Sequence, residues 1–138
     1  MENLDLYQLA EDEDIAVKTL AVDSGSASTM ALDGRCYVAI DPDVFESSDI
    51  ERMHLAHELG HCVTGSFFNP HSKLDIRGKH ERRANAWAYK QVVPLEGIRK
   101  CFKQGLTEAW QMEDVFDVPA WYIRQAMEYY QNVRPMGA

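Results

Sequence analysis

The chain has 138 residues, enough for one domain with its own hydrophobic core. Its formal charge is −8, from 22 acidic against 14 basic residues, a balance that disfavours nucleic acid as the main partner. No stretch approaches the roughly 18 unbroken apolar residues of a membrane span, and the acidic start MENLDLYQLAEDED lacks the basic and apolar parts of a secretory leader, so a cytoplasmic protein is expected.

Residues 2–10 read as a short, weakly periodic helix, followed by a solvated acidic run at Glu11 to Asp14. IAVKTLAV, residues 15–22, is short and β-branched and reads as a strand. ASTMAL and RCYVAID flank Asp33-Gly34, a dipeptide that favours a two-residue hairpin turn. The expectation is a small antiparallel or mixed sheet of about three strands, followed by a helical body in one α+β domain spanning residues 1–138.

After Pro42 the periodicity becomes helical. Ser48 and Glu51 fit a capping box at the start of a helix that carries Leu55, Ala56, Leu59, Cys62 and Val63 at helical spacing and stops at Gly65. Residues 66–78 read as a polar, Pro-interrupted loop containing Phe67, Phe68, His71 and Asp75. A second helix is expected from about Lys79 to Val93, stopped by Pro94. A third ends at Gly105, Thr107 caps a fourth reaching Phe116, and Pro119 opens a fifth running to about Gln131. Cys36, Cys62 and Cys101 are odd in number, far apart and without C-x-x-C, which points to buried free thiols and against a disulfide or a cysteine zinc site.

The first predicted helix contains His57-Glu58-Leu59-Gly60-His61, an H-E-x-x-H pattern. Histidines four apart share a helix face and can grip one ion, while the glutamate is turned roughly 100° away, free to act on water. Chance alone produces this pattern in roughly one chain of this length in a hundred. His57 and His61 lie off the apolar stripe, so they are placed to face a cleft; the alternative is surface histidines on an ordinary helix.

A catalytic zinc site needs a third protein ligand and an open position. The candidates are His54, His71, Asp75, His80 and Glu81. Glu81 is preferred because it sits at the edge of the apolar stripe of Ala84, Trp87, Ala88 and Val92, where a carboxylate is costly unless paired or bound to metal; pairing with Arg77, Arg82 or Arg83 is the alternative. His80 is rotated off the stripe, and His54 is a neighbour of the site. Asn85 could hold a ligand in place. In this scheme Zn2+ activates water, and Glu58 takes its proton and delivers it to the leaving amine.

MHLAHELGHCV, ERRANAWAYKQVVP and VFDVPAWYIRQAM together resemble the successive signature blocks of the ImmA/IrrE metallo-endopeptidases, over about residues 15–130. Trp87 stands where that family's pattern has phenylalanine. Gly65 stands where many members carry a histidine. The resemblance implies a compact zincin-like fold, zinc held by His57, His61 and Glu81, and a catalytic Glu58. It also implies an intracellular protease of the phage or mobile-element type that cleaves a helix-turn-helix repressor and relieves repression.

A substrate chain is expected to pair with an exposed strand at residues 27–32, and the loop at 66–78 either acts as a lid or merely connects. Two other readings stand beside this one. The chain could be a zinc-containing binding module, an anti-repressor or toxin–antitoxin-like partner, acting without proteolysis. Residues 106–130 also have the rhythm of a DNA-binding helix-turn-helix, although Trp121, Tyr122 and Ile123 suit packing better than base contacts.

Overall fold

The computed structural model describes residues 3–67 and 74–133 of the chain. Its elements are α1 (Asn3–Asp12), β1 (Ala16–Thr19), β2 (Ser26–Met30), β3 (Cys36–Ile40), α2 (Ser48–Thr64), α3 (Leu74–Val92), α4 (Leu95–Lys103), α5 (Glu113–Phe116) and α6 (Ala120–Val133). The class is α+β, as the sequence predicts.

β3 is the central strand. β1 runs parallel to it on one side and β2 antiparallel on the other. The two-residue period of a strand decides which residues face inward. Cys36, Val38 and Ile40 are buried, while Tyr37 and Ala39 point to the opposite face. The buried face rests on α2, whose Leu55, Ala56 and Leu59 are all fully buried. α1 adds Leu6 and Ala10 to this core. α3 contributes Ala84, Ala88 and Val92, and α4 and α6 close it with Ile98, Cys101, Ile123 and Ala126.

Local chemistry moves several boundaries. The β2–β3 connection has three loop residues, not two: Ala31 N–H donates to Arg35 C=O, and Gly34 N–H donates back to Ala31 C=O. Asp33-Gly34 does mark the hairpin, with Gly34 in the left-handed region at φ +83°. The N-cap of α2 is Ser47, not Ser48, and no side chain caps it, because the Ser47 hydroxyl turns to Asp49 instead. The cap ahead of α5 is Glu108, not Thr107: its side chain and that of Gln111 each accept the other's backbone N–H around a 3-10 turn at Ala109–Met112. The second long helix begins at Leu74, so residues 74–78 are helical although their polarity reads as loop.

The expectation of three free thiols is corrected at two of them. Cys36 and Cys62 form a disulfide joining β3 to α2, with Cα atoms 5.8 Å apart. Their sequence separation of 26 residues conceals that the strand's buried face and the end of α2 meet. Closing a loop of this length restricts the unfolded chain and contributes roughly 3–4 kcal/mol. Cys101 is free and buried. No helix among the described residues is long and apolar enough to cross a membrane.

Candidate metal centre

The site forms where α2 crosses α3. Gly60 makes the crossing close. A Cβ at that position would lie 2.5 Å from the Ala84 carbonyl oxygen, a contact that no side-chain carbon tolerates. Gly60 and Ala84 therefore let the two helices approach and bring one turn of α3 over the His57/His61 face of α2.

His57, His61 and Glu81 converge there. The two Nε2 atoms are 3.2 Å apart. Glu81 Oε2 is 3.0 Å from His57 Nε2, and Glu81 Oε1 is 3.1 Å from His61 Nε2. For zinc bonds of about 2.0–2.1 Å, neighbouring donors of a tetrahedral site lie about 3.3 Å apart, so the spacing suits one small cation.

Hydrogen bonding strengthens the assignment. His57 Nδ1 lies 2.8 Å from Asn85 Oδ1, and His61 Nδ1 contacts the Ser66 carbonyl oxygen. Both partners are acceptors, so each ring carries its proton on Nδ1. A neutral imidazole has only one N–H. With both rings neutral, the Nε2 atoms present bare lone pairs to each other and to a carboxylate. Three such acceptors at this range repel unless a cation lies between them. Asn85 and Ser66 fix the tautomer that metal binding requires.

The Ser66 contact depends on the end of α2. Gly65 adopts φ +66° and turns the chain sharply, as glycine does at helix ends. Ser66, fully buried, is thereby directed back to His61, and its hydroxyl meets that of Thr64 at 2.6 Å.

Glu58 does not join this cluster. It lines the same cleft of about 200 Å³, with Ser28, Phe67 and the ligand residues. The residue is only 8 % exposed, and both carboxylate oxygens accept serine hydroxyls from β2: Ser26 at 2.8 Å and Ser28 at 2.7 Å. Sequence reasoning does not single out these serines. Ser-x-Ser in a strand puts two hydroxyls on one face, but only the folded structure shows that this face meets Glu58.

The other candidates separate clearly. His54 is no ligand: its Nδ1 contacts Ser26 Oγ at 3.0 Å and its ring packs on Phe45. Burial holds its pKa below the ordinary histidine value, with the nearby Glu58 charge acting in the opposite sense. His80 is half-buried in α3 and outside the cluster. His71 and Phe68 lie outside the described residues, and the side chain of Asp75 is likewise outside them. Of the loop after α2, Phe67 is described, and its ring lies 6.1 Å from that of His61. Glu81, expected as the third ligand, does meet both histidines, but its side chain is 42 % exposed, so its direction and not a cost of burial marks it as a candidate.

No protein-family model, curated protein or solved structure matches the chain significantly.

Proposed function

We propose that the protein is a zinc-dependent endopeptidase of the ImmA/IrrE type, acting on a cytoplasmic protein, with a helix-turn-helix repressor as its substrate. One observation carries this reading: two imidazole nitrogens and a carboxylate converge at metal-binding spacing while a fourth group, Glu58, shares the cleft outside that cluster. A scaffold site is closed by its ligands, whereas a hydrolytic site keeps an open position and a base beside it.

His57, His61 and Glu81 would hold the ion, with Asn85 and the Ser66 carbonyl keeping the imidazoles oriented. Bound zinc supplies Lewis acidity, polarising a carbonyl and bringing the pKa of a water down to about 7. Glu58 takes the proton from the attacking water and returns it to the departing amine. Among the described residues, β2 pairs only with β3. A substrate chain can add to its other edge by main-chain hydrogen bonds, with Ser28 marking where that edge meets the cleft.

The test is incubation of the zinc-loaded protein with the repressor encoded nearest its gene, followed by mass spectrometry. Discrete fragments are expected from the wild type. Glu58→Gln should lower the cleavage rate by about 10²- to 10⁴-fold while retaining zinc. Stable binding of the intact repressor without fragments, over long incubation with zinc present, would replace this reading with that of a non-proteolytic anti-repressor.

A further inference from the structure

Glu58 sits beside a site built for a cation, yet it must stay a base and not swing in as a fourth ligand. The structure shows what restrains it. Ser26 Oγ donates to Glu58 Oε2 at 2.8 Å, and Ser28 Oγ donates to Oε1 at 2.7 Å. Two hydroxyls on two different oxygens fix the plane of the carboxylate as well as its position.

The Ser26 end of this arrangement is itself anchored. A hydroxyl has one proton, and Ser26 gives it to Glu58. Its 3.0 Å contact with His54 Nδ1 must therefore run the other way, with the ring N–H donating to Ser26 Oγ. The lowered pKa of His54 agrees with the neutral ring this needs. Phe45 packs on that ring at 4.7 Å between centroids. Gly25 makes room for Phe45: a Cβ there would lie 2.5 Å from the Phe45 ring, and Gly25 adopts φ +94°. One continuous series of contacts thus runs from Gly25 through Phe45, His54 and Ser26 to Glu58.

We propose that Ser26 and Ser28 of β2 are positioning residues that clamp the Glu58 carboxylate in its base-competent orientation, with His54 orienting Ser26. The proposal rests on the reading of Glu58 as the proton acceptor. It also couples the base to substrate docking, because the strand that carries both hydroxyls has a second edge that no strand among the described residues pairs with.

Two measurements test it. In the metal-free protein, Ser28→Ala, Glu58→Ala and the double variant are compared by urea unfolding. The two changes should be non-additive by about five- to tenfold in the unfolding constant; additive effects would show that the clamp does not exist in solution. In the zinc-loaded protein, Ser26→Ala and Ser28→Ala should lower kcat by about 10- to 100-fold, with KM and zinc content unchanged. Ser28→Thr, which keeps the hydroxyl, should restore most of the loss. Wild-type kcat in the double Ser→Ala variant would overturn the positioning role. A wild-type protein that cleaves nothing would instead defeat the endopeptidase reading, while the unfolding cycle would still decide the clamp.

Discussion

The two halves of the molecule bury different chemistry. Setting tyrosines aside, every buried polar or charged residue among the described residues lies between Ser26 and Ser66: Ser26, Arg52, Glu58, His61 and Ser66. Ser26 donates to Glu58 between β2 and α2, and His61 separately contacts the Ser66 carbonyl in the turn that follows. From α4 onward the buried residues among those described are Ile98, Cys101, Ala109, Met112, Phe116, Val118, Pro119, Tyr122, Ile123 and Ala126. The deeply buried Tyr122 hydroxyl there makes no hydrogen bond, and burial drives its pKa well above the ordinary range. Buried polar groups are costly unless satisfied. One half buries its polar groups around a cleft; the other is a largely apolar scaffold beside α2 and α3.

The contrast can be broken from either side. Met112 is fully buried in the scaffold half. Met112→Ala should cost about 2–5 kcal/mol in urea unfolding and leave zinc stoichiometry untouched. Loss of zinc from a still-folded Met112→Ala protein would mean that the halves are not separable. Gly60 lies on the boundary, since it sets the distance between α2 and α3. Gly60→Ala should cost about 1–3 kcal/mol and also weaken zinc binding, because the added methyl pushes Glu81 away from the histidines. Calorimetric zinc titration would check this, and an unchanged affinity would remove Gly60 from the account of the site.

The smallest effect is one of pH. Burial lowers the pKa of His54 from its model-compound value of 6.5. The folded state then binds fewer protons than the unfolded state in the window below about pH 6.5. The stability contributed by neutral His54 is fully present above that value and is lost as pH falls toward the lowered one. Metal-free wild type should therefore lose more stability between pH 7.5 and 5.5 than His54→Gln does. Equal losses would indicate that His54 is no more buried than an ordinary surface histidine.

What was legible in the sequence was local. The four-residue spacing of His57 and His61 fixes their shared face, because a helix repeats every 3.6 residues. Of the stripe of Ala84, Trp87, Ala88 and Val92, the two alanines and Val92 are buried and Trp87 is partly so, and Glu81 lies one turn before it. Glu81 is nevertheless half-exposed, so it meets the histidines for a reason other than the cost of burial. Asn85, one turn further on, holds His57 as expected.

What was not legible depends on contacts between distant segments. The serines that hold Glu58 are 30 and 32 positions away from it. The cysteines that join β3 to α2 are 26 apart and have no paired spacing. Polarity made residues 74–78 look like loop, and the helix there continues a pattern that becomes apolar only after Glu81. Gly65 turns the chain so that the Ser66 backbone carbonyl contacts His61, which the sequence alone does not show.

The central claim is that His57, His61 and Glu81 form a single metal centre. Zinc content, measured by atomic emission on purified wild type and on Glu81→Ala, tests it most directly. The account predicts about one zinc per wild-type chain and a large loss of zinc in a Glu81→Ala protein that remains folded. Stoichiometric zinc in Glu81→Ala, or a wild-type chain that binds none, would contradict it.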